Sequence, residues 1–432
     1  MSSPISPQLV YALKAVSGPA LSPDGKPLVF ARGQVDAESM ESRSQLMVVR
    51  ELPGGPARPF TQGKRDANPQ FSPDGRWVAF FRGDENNRRQ LWLIPSDGGE
   101  ARALYAPPGG VSDFKWAPDS QRLAALAKVD PDQLPEDHDP KADPRVKVVT
   151  RIRYRFDTLG WIGDAHNHLF VVDLDGAANQ VTDGDWDDAA PAWSPDGARL
   201  AFVSAREDDR EFTFRSQVYV VDAAGGAPEP WSEGLSSVTS PNWSPDGKRL
   251  AVVGSTDDEA AVFWNGELYP LEPGKAPERL TDDSIHPNTG FGPIVPPPEI
   301  RWTADGRLLF LGDARGESYL FELTLADGAL RRVAGGGQQL GAVSFDGATA
   351  RAAVFAVPPT SAGDLHLVEV GSGDTAQLTE ENRDYFEKHP AARLEKFELE
   401  RAGMTIQSRV WSSTSTAGRT ARSTTRSTPG SR

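Results

Sequence analysis

The apolar residues of this chain fall into short runs, and a recurring tetrapeptide of the type Ser-Pro-Asp-Gly joins these runs in pairs. In such a tetrapeptide, proline presets the backbone for a tight turn, aspartate hydrogen-bonds to its own backbone, and glycine accepts the left-handed conformation that closes the loop. Each copy therefore predicts a hairpin of two antiparallel strands. Seven copies occur, at residues 22–25, 72–75, 117–120, 194–197, 244–247, 303–306 and 344–347.

A second apolar run follows each hairpin, as at residues 46–49 and 91–94, and a glycine-containing turn with a shorter strand usually comes next. Successive turn aspartates are 50, 45, 77, 50, 59 and 41 residues apart. Repeats of about 40 to 50 residues with four strands each are typical of propeller blades. The pattern predicts an all-β fold, a seven-bladed β-propeller of four-stranded antiparallel blades over residues 18–382. Because each blade uses consecutive strands, we expect packing, and not a shared sheet, to close the ring.

Five of the seven repeats carry an aromatic residue two positions before the proline position of the turn. Buried aromatic rings dominate packing energetics, so these residues are expected in the core between neighbouring sheets. They are Phe71, Trp116, Trp193, Trp243 and Trp302.

Three segments flank or follow the repeats. Residues 1–17 predict a short N-terminal helix with Ser6 as its N-cap, Pro7 in the first turn and apolar residues as far as Val16. Residues 383–407 predict a linker and a pair of strands that has no blade to join. Residues 408–432 contain thirteen Ser or Thr and five Arg, but no Asp, Glu or Lys. Such a tail is either low-complexity and disordered or an out-of-frame translation, since its codons are compatible with His-Gly-Gly-Pro in another frame.

Composition excludes several function classes. The 46 basic and 61 acidic residues give a net charge of −15, which argues against nucleic-acid and anionic-membrane partners. The chain has no cysteine, so it has neither disulfides nor thiolate chemistry. No secretion-signal pattern and no run of about 18 apolar residues is recognised, so a cytoplasmic protein is the default expectation.

The third repeat contains an insertion that provides the candidate site. Its first part, residues 130–144, is acidic and proline-rich, and its second part alternates basic and apolar residues from 145 to 156, which predicts a strand with one basic face. A basic ladder suits a substrate carboxylate or an acidic partner. The alternative is that it pairs with the acidic loop before it, and this surface pairing would contribute little. The candidate substrate-binding residues are Arg151, Arg153 and Arg155.

Two further features of the insertion and its neighbours bear on function. Tyr154, Phe156 and Trp161 either line an apolar pocket or join the core, and we expect the core. His138, His166 and His168 lack a third ligand at a recognisable spacing, so neither a metal nor another cofactor is predicted. A proline-rich loop at residues 287–298 is expected to shape one mouth of the central tunnel.

The chain resembles the acylaminoacyl-peptidase branch of the prolyl oligopeptidase family in four features taken together. They are the seven turns, the basic segment Arg-Val-Lys-Val-Val-Thr-Arg-Ile-Arg-Tyr-Arg-Phe-Asp at 145–157, the strand at 168–173 and the strand pair at 395–407. The resemblance covers about residues 6 to 407. It implies a propeller that filters short peptides on their way to a C-terminal α/β-hydrolase domain with a Ser-Asp-His triad.

The chain departs from that family pattern in its chemistry. It contains no Gly-x-Ser-x-Gly, and His389 is its last histidine, so we expect no catalytic residues here and a truncated chain that is inactive alone. Expected partners are short peptides, the hydrolase domain and a second copy of the chain. One alternative is a stand-alone Tol-like propeller that acts as a protein-interaction module. Another is a propeller enzyme with a site in its tunnel, for which no cluster of histidine and acidic residues was recognised on the inner strands.

Overall fold

The structure, a computed structural model, describes residues 7–132, 148–157, 160–257, 266–287, 299–391, 393–401 and 404–412. Within them, seven antiparallel sheets follow one another along the chain, and the first strand of each sheet is the innermost. Blade 1 contains β1 (Lys14–Leu21), β2 (Leu28–Val35), β3 (Ser42–Val49) and β4 (Arg58–Pro59). Blade 2 contains β5 (Asp66–Phe71), β6 (Trp77–Gly83), β7 (Arg89–Pro95) and β8 (Arg102–Tyr105).

Blade 3 carries the insertion. It contains β9 (Val111–Trp116) and β10 (Arg122–Val129), then the inserted hairpin of β11 (Arg155–Phe156) and β12 (Gly160–Trp161), then β13 (His166–Asp173) and β14 (Ala178–Gln180). Blade 4 contains β15 (Asp188–Trp193), β16 (Arg199–Ser204), β17 (Gln217–Asp222) and β18 (Glu229–Pro230).

The remaining blades keep the same order. Blade 5 has three described strands, β19 (Ser237–Trp243), β20 (Leu250–Ser255) and β21 (Glu267–Leu271), and the Leu280 N–H donates to the Leu268 carbonyl at the place of a fourth. Blade 6 contains β22 (Ile300–Trp302), β23 (Arg307–Ala314), β24 (Glu317–Thr324) and β25 (Leu330–Gly335). Blade 7 contains β26 (Gln339–Phe345), β27 (Arg351–Val357), β28 (Asp364–Glu369) and β29 (Thr375–Gln377). The predicted seven-bladed fold is confirmed.

The recurring tetrapeptide forms the turns for the reasons expected from its residues. In blade 4, the Ser194 hydroxyl donates to Asp196 Oδ1 over 2.5 Å, and the same oxygen accepts the Ala198 N–H over 3.0 Å. These bonds hold the pKa of Asp196 below its usual value. Gly197 closes the turn with φ +67°, a conformation that L side chains rarely adopt. The hydroxyl-to-aspartate bond recurs in four other copies, at Ser22, Ser72, Ser244 and Thr303.

The repeated tryptophan joins each of blades 3 to 6 to the blade before it. The Trp193 indole N–H donates to the Lys115 carbonyl on β9 over 3.1 Å, and Trp243 donates to the Ala192 carbonyl on β15 over 3.1 Å. Trp116 and Trp302 do the same toward their preceding blades. Apolar side chains of adjacent sheets fill the space around these rings, so the core consists of layers between blades. The predicted position between neighbouring sheets is confirmed.

Ring closure uses no shared sheet, as expected. Between blades 7 and 1, the Leu21 N–H donates to Ser344 Oγ over 3.0 Å, and the Gly347 N–H donates to the Pro23 carbonyl over 2.9 Å. Apolar residues of the two blades form one buried cluster. Asn382, which follows the last blade, completes the junction through two hydrogen bonds to the backbone of Lys14.

The N-terminal flank differs from its prediction. The helix α1 comprises only Leu9–Ala12, because β1 begins at Lys14 and places Val16 in the buried cluster between blades 7 and 1. The predicted N-cap, Ser6, lies outside the described residues.

The segment after the last blade forms a helix and a strand pair. The helix α2 (Arg383–Lys388) precedes β30 (Arg393–Arg401) and β31 (Met404–Ser412), which pair in antiparallel register. This pair extends to Ser412, beyond the predicted end at residue 407. Residues 413–432 lie outside the described part. No helix in the described residues has the length and apolar character needed to cross a bilayer.

The two faces of the ring differ in what they carry. Every innermost strand ends at one of the tight turns, so these turns share one face, here called the turn face. Connections from the second to the third strand of each blade lie at the opposite face, here called the loop face. The chain enters β1 and leaves β29 at the loop face, so the insertion of blade 3 and both ends of the propeller lie there.

Candidate functional site

The candidate site lies at the loop face, where the insertion of blade 3 meets the connection between β16 and β17 of blade 4. Arg151 is central to this junction. Its Nε lies 3.2 Å from Asp164 Oδ1, its Nη1 lies 3.5 Å from Glu211 Oε1, and its Nη2 contacts Asp185. Although burial opposes it, the hydrogen bond that Arg151 donates to Asp185 raises the pKa of Arg151, which therefore stays charged.

Arg153 attaches the same segment to blade 4. Its backbone N–H lies 3.4 Å from Glu211 Oε2, and its guanidinium donates to the Thr213 carbonyl. The guanidinium carbon lies 4.4 Å from the centre of the Phe214 ring, which is a cation–π arrangement. Arg151 and Arg153 thus fasten the insertion to the neighbouring blade.

Arg155 lies in a different environment. It is the first residue of β11, where it pairs with Trp161, and its side chain is exposed. Within the part of the chain that the structure describes, no acidic side chain forms an ion pair with it. Of the three candidate arginines, Arg155 is the one whose charge faces solvent.

The predicted basic strand is not formed as expected. Residues 148–154 are not in a strand, and only Arg155–Phe156 pairs with a neighbour, while residues 145–147 lie outside the described part. Among the described residues, the partners of Arg151 at 164, 185 and 211 all follow it in sequence. Most of the acidic loop lies outside the described residues, so the expectation that the arginines pair with it stays a prediction. Alternation of residue types indicates extended backbone, but a strand also needs a partner strand, which this segment lacks.

The aromatic residues of the insertion are not in the core. Tyr154, Phe156 and Trp161 are 43%, 42% and 48% exposed, and the expectation that they are buried is wrong. The rings of Tyr154 and Trp161 lie 5.4 Å apart across the short hairpin. The neighbouring loop of blade 4 adds Phe212, which is 74% exposed. The loop face therefore presents apolar rings beside Arg155.

His166 lies behind Arg151, between two carboxylates. Its Nδ1 is 3.3 Å from Asp187 Oδ2, and its Nε2 is 3.2 Å from Asp185 Oδ1. The hydrogen bond that Asp187 accepts from His166 raises the pKa of His166, although burial and the charge of Arg151 oppose this rise. Asp185 also accepts from Arg210 Nη2 over 2.8 Å, and its bond to Arg151 lowers the pKa of its carboxyl group. Asp185 thus connects the insertion, β13 and the loop of blade 4.

His168 points to the same side of β13 as His166, and the two rings are 6.4 Å apart. Its Nδ1 lies 3.6 Å from Asp188 Oδ2, which exceeds a hydrogen-bond distance. Asp188 is fully buried and accepts from Arg206 Nη2 over 3.0 Å and from the Thr182 hydroxyl over 2.5 Å. No three histidine or acidic residues of the described ranges are arranged to hold a metal ion, and His138 lies outside those ranges.

Several residues of this junction were missed by reasoning from sequence. Asp185, Asp187 and Glu211 carry most of its negative charge. The first two belong to the acidic run Asp-Gly-Asp-Trp-Asp-Asp just before β15, which is a visible signal. Their partners are more distant in sequence, because contacts between loops of adjacent blades depend on tertiary packing.

The arrangement favours one chemical role over others. A peptide carboxylate at Arg151 would compete with three carboxylates that already surround this guanidinium. Arg155 offers an exposed cation that has no ion pair among the described residues, and the exposed rings near it offer apolar contact. The site can therefore bind a chain end with a carboxylate and an apolar side chain.

Comparisons with known proteins support a peptidase relationship for the propeller. Residues 147–393, more than half of the chain, match the model of the TolB beta propeller domain family. Dipeptidyl-peptidase 5 of Porphyromonas endodontalis is 27% identical over 420 residues, which cover 91% of this chain and 58% of that protein. The chain thus spans well under two thirds of the length of this relative.

Two solved structures share the fold. Acylaminoacyl peptidase of Pyrococcus horikoshii matches with a TM-score of 0.70 at 17% identity, over 93% of this chain and 58% of that one. The β-propeller domain of the Trilobed protease of Pyrococcus furiosus, described as having an open velcro topology, matches with a TM-score of 0.58 at 15% identity, over 85% of this chain and 96% of that one. The expected resemblance to the propeller portion of acylaminoacyl peptidases is confirmed. By its family match, this chain belongs to the TolB beta propeller domain family.

Proposed function

We propose that this chain is the substrate-gating propeller of an acylaminoacyl-peptidase-like serine peptidase, which removes N-terminal residues, N-acylated ones included, from short peptides. The observation that carries the proposal is the match, along 91% of the chain, to a peptidase of which the chain covers only 58%. The sequence has no Gly-x-Ser-x-Gly for a nucleophile elbow. In this proposal a separate hydrolase domain performs the catalysis, this chain is a truncated form that is inactive alone, and the protein is cytoplasmic.

The position of the chain ends supports the gating role. Both ends of the propeller leave at the loop face, so a hydrolase domain joined there would cover one mouth of the central channel. The innermost strands of seven blades surround that channel. Short or extended peptides could pass while folded chains are excluded.

The arginines take different roles in the proposal. Arg155 binds the carboxylate of the peptide, because it is exposed and no acidic partner surrounds it in the described structure. Arg151 and Arg153 position the segment that carries it, through their contacts with Asp185 and Glu211. A charge-assisted hydrogen bond from a guanidinium suits this carboxylate.

The test uses the purified chain and a pair of pentapeptides that end in Phe, one with a free C-terminal carboxylate and one with an amide. Mass spectrometry measures cleavage, and fluorescence anisotropy measures binding. We expect no cleavage, and about tenfold tighter binding of the free acid, the equivalent of one charge-assisted bond. Arg155→Gln should abolish this preference, whereas Arg58→Gln, at an exposed position of β4, should leave it intact.

Each readout tests a separate part of the proposal. Cleavage that persists through repurification would show that the chain is an enzyme by itself. Equal binding of the acid and the amide, or an unchanged preference in Arg155→Gln, would reject the carboxylate-binding role of Arg155.

A stand-alone interaction module is the second candidate, and the exposed rings of Phe212, Tyr154 and Trp161 favour it. Isolated exposed apolar residues are ordinary, but a group of them at one junction is typical of a protein contact. This function predicts that the chain binds a folded partner and ignores the chemical state of a peptide C-terminus. The pentapeptide pair therefore distinguishes the two functions.

A further inference from the structure

Charged side chains are unevenly distributed around the central channel. Three charged residues lie at the start of an innermost strand, and each forms an ion pair with a neighbouring side chain. Lys14 lies 3.3 Å from Glu381, Asp66 is fully buried against Arg82, and Asp188 is fully buried against Arg206. The other charged residues, counting Glu299 just before β22, lie further along the strands of blades 3 and 6 only. They are Asp113, Lys115, Glu299 and Arg301.

Blades 3 and 6 stand on opposite sides of a seven-membered ring, and their charged residues occupy equivalent places. Lys115 directly precedes Trp116 and pairs with Ala124 on β10, one residue after the pair of Trp116 with Leu123. Arg301 directly precedes Trp302 and pairs with Leu309 in the same way. Asp113 and Glu299 each precede the tryptophan of their blade by three residues. The two cations therefore share one depth in the channel, and the two carboxyl groups share another.

The two levels are separated by a definite distance. Residues two apart on a strand are about 7 Å apart along it. Since the innermost strands run from the loop face to the turn face, the carboxyl level lies nearer the loop face and the cationic level nearer the turn face. At the corresponding depths the strands β15, β19 and β26 carry no charged residue.

The directions of the pKa shifts agree with charges of blades 3 and 6 that lie near one another. Burial raises the pKa of Glu299, and the charges of Lys115 and Arg301 oppose this rise. Lys115 belongs to blade 3, so its field reaches the opposite wall. Burial also raises the pKa of Asp113, against the effects of Lys115 and of the Phe114 N–H that it accepts. Glu299 is exposed, as are Lys115 and Arg301.

We propose that these four charged residues form a binding site for the zwitterion of a short peptide of about two residues, with its carboxylate at Lys115 and Arg301 and its ammonium group at Asp113 and Glu299. Two extended residues span about 7 Å, which matches the separation of the two levels. The site supplies both charges in a confined space, where ion pairs are stronger than at an open surface. A dipeptide without blocking groups satisfies both levels, and a peptide blocked at either end satisfies one.

This inference deepens the proposed gating function by naming a ligand for the channel, and it rests on that function only for its biological meaning.

Binding is measured by calorimetry on the full chain with three probes: Ala-Phe, N-acetyl-Ala-Phe and Ala-Phe amide. We expect each block to weaken binding about tenfold, the cost of one lost charged contact. Equal affinity for all three probes would overturn the proposal.

Two double variants test which end of the peptide binds at the cationic level and which at the carboxyl level. Lys115→Gln with Arg301→Gln should remove the preference for a free carboxylate and keep the preference for a free amine. Asp113→Asn with Glu299→Gln should do the reverse. The matched control, Lys26→Gln with Arg76→Gln, removes two exposed cations from the turn face and should retain both preferences. Double variants that keep the parental preferences would overturn the assignment.

A second measurement needs no change in the charged residues. The chain has no cysteine, so Ala342→Cys on β26 introduces a single thiol at the depth of Asp113 on the innermost strands. We expect Ala-Phe to protect this thiol from a maleimide, and N-acetyl-Ala-Phe amide to leave it reactive. Equal reactivity with both peptides would contradict a channel site. Arg155→Gln should change neither result, so a failure here is distinct from a failure of the loop-face site.

Discussion

Asn382 is the residue on which closure of the ring can be tested most directly. This residue is 5% exposed, and its side chain hydrogen-bonds to the start of the first blade. The Lys14 N–H donates to Asn382 Oδ1 over 2.8 Å, and Asn382 Nδ2 donates to the Lys14 carbonyl over 2.8 Å. Because blades 7 and 1 share no sheet, these bonds replace part of the ladder that a shared sheet would supply. Asn382→Ala removes both.

The expected cost follows from the two backbone groups left without a partner. Leaving a buried donor or acceptor unsatisfied costs about 1–3 kcal/mol. Lys14 is only half-buried, so water can reach it, and we take about 1 kcal/mol for each group. A total of about 2 kcal/mol corresponds to a roughly 30-fold increase in the population of the open junction. Asn382→Asp keeps the acceptor for the Lys14 N–H and loses the donor, so it should cost less.

Native-state hydrogen exchange measures this opening blade by blade. Amides of β1 and β27 should exchange roughly 30-fold faster in Asn382→Ala, since local opening limits their exchange. Amides of β16 in blade 4, on the far side of the ring, should change little. Uniform acceleration in all blades would show that Asn382 supports global stability and not the junction. No acceleration in β1 would refute the reasoning.

Two further predictions concern the blade contacts and the insertion. Trp193→Phe should lower the free energy of unfolding by about 1 kcal/mol in urea, because the Lys115 carbonyl loses its indole donor. The buried indole N–H of Trp186 has no hydrogen-bond partner in the described structure, so Trp186→Phe should lower the free energy of unfolding by less. Equal losses in the two variants would contradict the role of the indole hydrogen bond. For His166, the raised pKa means that its stabilising contribution is complete below the unfolded value of about 6.5 and is lost as the pH rises through the folded pKa. The thermal midpoint should therefore fall more steeply toward alkaline pH in the parent than in His166→Gln, and parallel profiles would reject this.

The scaffold could be predicted because its signals are local and repeated. A turn such as Ser194 to Gly197 contains its own hydrogen bonds, so four adjacent residues are sufficient to indicate it. The tryptophan before the turn marks the blade-to-blade contact, because one large ring per repeat has to be buried. The short helix α1 was overestimated, because the apolar spacing of residues 9–16 fits a helix, whereas Val16 is needed in the core of blade 1.

The candidate site could be predicted only in part. The arginines of the insertion were identified from their spacing, but the roles of Arg151 and Arg155 differ because of residues far away in the sequence. Glu211 lies 60 residues after Arg151 in the numbering, and nothing near either residue indicates their contact. Alternation suggested a strand, but the segment from 148 to 154 has no neighbouring strand to pair with.

The difference between the two faces explains why one half of the molecule is more predictable than the other. At the turn face, the copies of the tetrapeptide form similar tight turns from similar residues, and five of the seven share the hydroxyl-to-aspartate hydrogen bond. The chemistry of this face is therefore repetitive. At the loop face the connections have no common sequence, and each can change in length without disturbing the sheet below it. Exposed charge such as Arg155 and exposed rings such as Phe212 occur there, and both ends of the propeller lie there. A binding role is therefore expected at the loop face and inside the channel, where the blades depart from their shared pattern.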